Sequence, residues 1–411
     1  MNDEVATRIV FFLGFENPFG GAGWRRVEFF ANYLRRKSYD VYVVGSFSPH
    51  NPTRTRSFQK REAKIFNICP FIAIDFWPVA TLNILLSVIF LVIAFVTIKP
   101  EITVISMPRG ENALGAYLAS RLIGARVIFD YRDEWEDDAI RHHQTALSSL
   151  FYSLLKKVFT SLYRRGEYVI SVTLPMVNNL KRRGIQKVHL VPNGADLMAF
   201  RKLEPDEKAK IRERYCFNPN DFIAVYSGLV KDTVFYQPSI MLRAVRRVAD
   251  EIPEIRLLII GPNPSSEFTD LIKQMNLSCY VRYLGLMKSA RDVSGIIGIC
   301  DIGIIPYTAY DITKNTVPAK FFEYCACGLP VIAMVHGDSI LAKLIHDNKI
   351  GSSCAPGDVA ALANTLGELG KNRESRAASG LNARMLIEKE YDRNVIVDDF
   401  LKIINSLAVK R

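Results

Sequence analysis

Short β-branched apolar runs alternate along this chain with longer stretches in which apolar residues recur every three or four positions. The first pattern predicts interior strands and the second predicts amphipathic helices packed on them. In the first half the strands are RIVFFLG (Arg8 to Gly14), YDVYVVG (Tyr39 to Gly45), EITVIS (Glu101 to Ser106), the apolar part of ARVIFDYRDEW (Ala125 to Trp135) and YVISVT (Tyr168 to Thr173). A helix through Val27, Phe29, Phe30, Tyr33 and Leu34 follows the first strand, and another begins near Gly110. The second half repeats the alternation with FIAVYSG, IRLLIIG, VRYLG, IGIIPY and VIA, separated by amphipathic stretches such as SIMLRAVRRVADEI and GDVAALANTLGELG. Such alternation predicts an α/β chain with parallel, doubly wound sheets and right-handed crossovers. At 411 residues there is room for two such domains. Pro192 and Asn193-Gly194, in KVHLVPNGAD, make a tight turn that closes the first, and the charged stretch Arg201 to Arg214 reads as a linker.

The stretch PAKFFEYCACGLPVIA (Pro318 to Ala333) carries the sharpest chemical signal. Pro318 suits the first helical position, Gly328 ends the helix, Pro330 prevents its resumption, and Val331-Ile332-Ala333 is a buried strand. Lys320 and Glu323 share a face in the first two turns, close to the free N–H groups that attract anions. On an ordinary helix such an i,i+3 pair is a solvated ion pair. Here it follows a strand and a polar loop, IGIIPYTAYDITKNTV, and ligands of open parallel sheets bind at the carboxyl ends of strands. A cation for a phosphate and a carboxylate for a sugar hydroxyl suit a nucleotide-sugar site.

Charge and cysteines bound the setting. The net charge of +11 suggests an anionic partner. The basic residues are not interleaved with aromatics along one element, so nucleic acid is not expected. Seven cysteines without CxxC spacing read as thiols in a reducing compartment, with Cys325 and Cys327 in an apolar helix. The first apolar run, from Ile9, is a short strand rather than a signal peptide, so a cytoplasmic location is expected. A basic run, Arg54, Arg56, Lys60, Arg61 and Lys64, precedes an apolar segment, 76–98, with no charged residue between Asp75 and Lys99. The segment is long enough to span a bilayer. Strands on both sides of it must join one sheet, however, and a single crossing would separate them. Burial in the domain or a peripheral membrane face fits better.

Two further clusters draw attention in the first half. ENPFGGAGWRR places Gly20, Gly21 and Gly23 between a strand and a helix, where backbone N–H groups meet phosphate, although the spacing is not GxGxxG. Asp130, Asp133, Glu134, Glu136, Asp137 and Asp138 crowd the end of one strand near His142 and His143. Their spacing fits no zinc template, and no metal is expected.

From Pro318 to Ile332 the chain resembles family 4 of the GT-B glycosyltransferases, which carry two acidic residues eight positions apart and then an EA-A-G-PVI-like run. The GGAG loop, the DYRDEW segment, the PNGAD turn and the terminal helix support the resemblance by their order. It implies a GT-B fold: two Rossmann-like domains facing a cleft, 1–198 on the acceptor side and 199–390 binding the nucleotide sugar. A terminal helix, 391–411, would cross back to the N-terminal domain. It also implies a retaining transferase that needs no metal or other cofactor and moves a sugar from a UDP- or GDP-sugar to an acceptor hydroxyl. Glu323 would hold the ribose, and the first acid of the family pattern falls on Asn315, a departure. Asn315 with the Thr316 and Val317 amides would face the donor sugar. Gly20, Gly21 and Gly23 would face the donor phosphates, and Asp133 would touch the acceptor. The family's Gly-Arg turn, with a Lys five residues on, clamps the diphosphate; here these positions are Leu229 and Val234. Lys231 and Lys320 are the local replacements, Lys320 with the better geometry. The apolar and basic segments suggest a glycan or polyprenyl-linked acceptor and a peripheral position on the anionic inner face of the cell membrane. Two other readings remain at this stage: a sugar-nucleotide epimerase using carboxylates of Asp130 to Asp138, and a non-catalytic membrane scaffold.

Overall fold

A computed structural model describes residues 6–14, 21–47, 64–72, 74, 76–107, 111–142, 145–287 and 289–408. Gly20, Arg54, Arg56, Lys60, Arg61, Asp75, Gly110 and His143 lie outside the described residues. The chain divides into two compact units, one of residues 1–192 with 396–411 and the other of residues 193–395.

The first unit holds a seven-stranded parallel sheet. Its strands are β1 (Arg8–Leu13), β2 (Asp40–Phe47), β3 (Lys64–Pro70), β4 (Ile102–Ser106), β5 (Arg126–Tyr131), β6 (Tyr168–Ser171) and β7 (Val188–Leu190), in the order β3-β2-β1-β4-β5-β6-β7. The helices between them are α1 (Gly21–Arg36), α2 (Trp77–Ile98), α3 (Glu111–Leu122), α4 (Trp135–His142), α5 (Ala146–Arg165) and α6 (Leu174–Arg182). The order in which strands are added reverses between β1 and β4, which makes the crevice at their ends the topological switch point. One face of the sheet packs on α2, α3, α5 and α6. The other packs on α1 and on residues 396–407, where Phe400 stacks on Phe30 at 5.0 Å.

The apolar segment 76–98 becomes α2, which connects β3 to β4 of the same sheet. Its inward stripe mixes small and polar residues, Ala80, Asn83, Ser87 and Ala94, with apolar Leu91 and Phe95. The Asn83 side chain accepts from the Ile72 N–H (2.9 Å) and donates to the Ile72 carbonyl (3.0 Å). At Gly115 of α3 an added Cβ would lie 2.6 Å from the Ser87 backbone, so the two helices meet through glycine. These ties hold α2 to the domain.

The second unit holds a six-stranded parallel sheet of β8 (Phe222–Ser227), β9 (Ile255–Ile260), β10 (Val281–Tyr283), β11 (Ile302–Pro306), β12 (Val331–Met334) and β13 (Gly351–Cys354), ordered β10-β9-β8-β11-β12-β13. Its helices are α7 (Pro205–Arg214), α8 (Ser239–Val248), α9 (Ser266–Gln274), α10 (Ala290–Gly298), α11 (Ala319–Ala326), α12 (Ile340–Asp347), α13 (Val359–Lys371) and α14 (Arg373–Leu386). The last helix of the chain is α15 (Arg393–Ala408). Here the switch point lies between β8 and β11.

One element departs from its sequence reading. The charged stretch from Arg201 is not a linker: most of it is α7, held in the second unit. Buried Arg212 donates to the carbonyls of Ile299, Pro219 and Asp221 and to the Asp301 carboxylate at 2.7 Å. Lys208 reaches the same Asp301 at 3.1 Å. A charge-rich composition is compatible with packing when each cation finds buried acceptors.

Candidate functional site

In the second unit, α11 is placed by its two ends. Gly328 follows it in the left-handed conformation (φ 75°), with the Leu329 N–H donated to the Tyr324 carbonyl and the Gly328 N–H to the Cys325 carbonyl. That double closure turns the chain straight into fully buried β12. Pro318 stands one position before the helix, with an extended ψ of 150°, rather than inside its first turn. On the sheet side the Ser227 N–H donates to the Tyr324 hydroxyl at 2.8 Å, tying α11 to the end of β8. Gly303 of β11 permits this approach, since a Cβ there would fall 2.2 Å from the Tyr324 ring.

The start of α11 therefore lies at the switch point, and Lys320 points into a box of aromatic rings. Its ammonium is 4.3 Å from the centroid of Tyr226, at the end of β8, and 4.1 Å from that of Tyr236. Lys320 is buried. Burial pulls its pKa down to about 7, against a smaller upward pull from Glu323. Burial also pushes the Tyr226 and Tyr236 phenols up, so the rings stay neutral and present π faces to the cation. The loop carrying Tyr236 is fastened to β11 by a bridge between Tyr236 and Tyr307 and by the Gln237 N–H on the Pro306 carbonyl. Gly228 completes the box, because a Cβ at this position would meet the Lys320 ammonium at 2.8 Å.

Glu323, one turn further along α11, is buried. Asn315 ends a short 3-10 turn, Asp311–Asn315, and is half-buried. The Thr316 hydroxyl donates to the Tyr307 hydroxyl at 3.2 Å, and its N–H is directed at the Thr313 carbonyl at 3.4 Å. That amide is thus engaged within the loop. Val317 is buried. Lys231 lies on the bend after β8 and is exposed. Leu229 and Val234 are exposed as well, so neither supplies a cation nor packs as core.

The first unit brings a second cluster to its own switch point. Gly21 and Gly23 fall in the first turn of α1, and the Gly23 carbonyl accepts from Arg132 at 2.8 Å. Asp130, at the end of β5, lies 3.5 Å from Arg26 and 3.6 Å from Arg132; all three side chains are buried. Arg26 also donates to the carbonyls of Val191 and Pro192, which pins the chain just after β7 against α1. Asp133 stays exposed beside this triad. Crowding by protein raises its carboxyl pKa, with Asp138, Asp130 and Glu134 adding to the rise and Arg132 opposing it.

Glu134, Glu136 and Asp137 of the acidic cluster are engaged within the fold. Glu136 is fully buried and accepts from Tyr131 (2.9 Å), Tyr163 (3.0 Å) and Arg183 (3.1 Å). Asp137 pairs with Lys156, and Glu134 accepts from Asn179 at 2.6 Å. Among the described residues no group of three His, Cys, Asp or Glu side chains is arranged to hold a metal ion. All seven cysteines are free thiols, and burial pushes the Cys325 and Cys327 thiols up.

Sequence reasoning missed the aromatic box and the Arg26–Asp130–Arg132 triad. A tyrosine near the end of an otherwise aliphatic strand, as in FIAVYSG, was the available signal for the first. An arginine inside the apolar face of a helix, Arg26 between Trp24 and Val27, was the signal for the second.

Residues 224–372 match the family model described as glycosyl transferases group 1, and residues 19–198 match the one described as glycosyltransferase family 4. A chitobiosyldiphosphodolichol beta-mannosyltransferase of Debaryomyces hansenii is 22% identical over 374 residues, 78% of this chain and 79% of its own. A Bacillus subtilis glycosyltransferase named for teichuronic acid biosynthesis, TuaH, is 23% identical over 215 residues. That match takes in 50% of each chain, so the chain spans about half the length of this relative. The crystal structure of Anabaena HepE in complex with UDP and glucose superposes with a TM-score of 0.68 at 16% identity, covering 97% of this chain and 100% of that one. Two parallel sheets, each with a polar cluster at its switch point, define a GT-B type protein. The chain belongs to the glycosyltransferases of group 1, family 4.

Proposed function

We propose that this chain transfers a sugar from a nucleoside-diphosphate sugar to an acceptor hydroxyl with retention of configuration and without a metal. In the reaction the C1–O bond to the phosphate breaks, the C1–O bond to the acceptor forms, and the hydroxyl proton leaves with the diphosphate or to solvent. Lys320 carries the reading. A lysine at a pKa of about 7, buried at a helix start on a switch point, gains its proton when a diphosphate arrives and stabilises that diphosphate as it departs. Lys320 thereby stands in for the cations lacking at Leu229 and Val234. Lys231, exposed on the adjoining bend, contributes at longer range. Glu323 grips the ribose, Asn315, Thr316 and Val317 face the donor sugar, Gly21 and Gly23 face the donor phosphates, and Asp133 touches the acceptor.

Either UDP or GDP suits the site. The HepE structure is described with UDP, and a relative from Mycolicibacterium smegmatis is named as GDP-mannose-dependent. A lipid-linked or cell-surface glycan precursor is the acceptor we favour, at the inner face of the cell membrane. The chitobiosyldiphosphodolichol relative, whose name is that of a lipid-linked sugar, supports this.

The test incubates the purified protein with a panel of UDP- and GDP-sugars and polyprenyl-phosphate-linked saccharides, with and without EDTA. Acceptor-dependent release of one nucleoside diphosphate, unchanged by EDTA, is expected. Epimerisation of the donor without acceptor would favour the epimerase, and no turnover of any donor would favour the scaffold.

A further inference from the structure

The membrane placement proposed above names no surface beyond the apolar helix α2, and its outward face is only part of what the first unit exposes. Leu85, Ile89 and Ile93 form an outward stripe on α2, spaced four residues apart, and all are more than half exposed. Leu147, Leu150 and Leu154, spaced three and four residues apart on α5, are likewise more than half exposed. At 100° per residue Arg165 falls on the same line as the α5 stripe, and Lys157 and Arg164 fall beside it. The buried faces of both helices enter one core cluster on one side of the sheet. Their exposed stripes therefore both turn away from that core. The two helices also meet near their starts, where the rings of Trp77 and Phe151 are 6.0 Å apart.

Charge selects the occupant. Residues 76–99 and 145–166 together carry Lys99, Lys156, Lys157, Arg164 and Arg165 and no acidic residue at all. Lys156 is engaged by Asp137 of α4 and Arg164 donates to the Arg183 carbonyl, while Lys99, Lys157 and Arg165 are exposed. A second copy docked on this surface would set like charges against each other. An anionic lipid surface accepts both features, with apolar stripes entering the headgroup boundary and cations meeting phosphates. Crossing the bilayer is ruled out by topology, because β3 and β4, on either side of α2, belong to one sheet.

We propose that α2 and α5 together form a monotopic docking surface for an anionic membrane leaflet, with α5 as a second anchor. This rests on the peripheral placement proposed above and on nothing in the chemistry of the donor site. Because the stripe residues are exposed, polar replacements leave the core intact.

The experiment is flotation of the full chain with vesicles of phosphatidylcholine alone or mixed with phosphatidylglycerol. Unaltered protein is expected to bind the mixed vesicles and to weaken by about fivefold for each exposed cation neutralised, starting with Lys157→Gln and Arg165→Gln. Leu150→Gln with Leu154→Gln on α5, and Leu85→Gln with Ile89→Gln on α2, are each expected to lower binding about tenfold or more with unchanged thermal melting. If the unaltered protein binds neither vesicle, the peripheral placement itself fails. If it binds and the α5 variant binds equally well, the placement survives and the two-helix surface is wrong. A concentration-dependent dimer abolished by the same α2 and α5 changes would assign the face to a second copy and also overturn the proposal.

Discussion

The Lys320 ammonium sits 4.1 Å from the ring centroid of Tyr236, on a helix that begins at the switch point of the second sheet. The tyrosine faces a cation that burial makes reluctant to stay charged, with a pKa near 7. An arriving diphosphate would tip that balance toward the ammonium, so nucleotide binding should carry a proton with it. Above about pH 7 the free protein must take up that proton, and UDP or GDP affinity should fall by up to about tenfold per pH unit. Calorimetry at pH 8 in buffers of different ionisation enthalpy should register the uptake.

The same group sets a stability signature of the opposite sign. Its folded pKa lies below the 10.5 of an ordinary lysine, so between about pH 7 and 10 the unfolded chain holds more protons. The penalty is fully present below pH 7 and is relieved as pH rises. Between pH 7 and 9 this contributes about 2 kcal/mol of added stability. Urea unfolding of Lys320→Met should lack that increment, measured as the difference between the two pH dependences.

Glu323→Ala should weaken nucleotide binding by about tenfold to a hundredfold, the loss expected for a hydrogen bond to a charged group. Circular dichroism and melting should show a folded protein. Unchanged affinity in the folded variant would remove α11 from the site.

Gly228→Ala places a methyl group 2.8 Å from the Lys320 ammonium and 2.9 Å from the Tyr226 hydroxyl. The lysine end is flexible and shifts, which lowers binding about tenfold, and the positive φ of 153°, which an alanine rarely adopts, lowers the melting temperature as well. A variant that binds normally would mean the ammonium does not need its present position.

Glu136→Ala strips Arg183, Tyr131 and Tyr163 of their common acceptor. Loss of one partner of a buried pair of this kind destabilises by about 3–5 kcal/mol. Chemical denaturation should show this loss whether or not divalent metal is added.

Much of the architecture could be read from periodicity, because interior strands such as Phe222–Ser227 and Ile302–Pro306 are continuous apolar runs bounded by turns. β3 escaped notice: KIFNICP mixes polar and apolar positions, as an edge strand does, and is only partly buried. α7 was misread because its charges are satisfied by backbone carbonyls far along the chain, such as that of Ile299. At the site, Lys320 and Glu323 were visible from their spacing on one helix. Tyr226 and Tyr236 were not, since only the pairing of β8 with β11 brings both rings to the lysine.

The most direct test is calorimetric titration of the full chain with UDP and with GDP at pH 7 in the presence of EDTA, repeated on Lys320→Met. One nucleotide should bind in preference to the other, and the substitution should weaken it at least about tenfold while the protein stays folded. Binding of neither nucleotide, or equal binding by the variant, would contradict a diphosphate site built on Lys320.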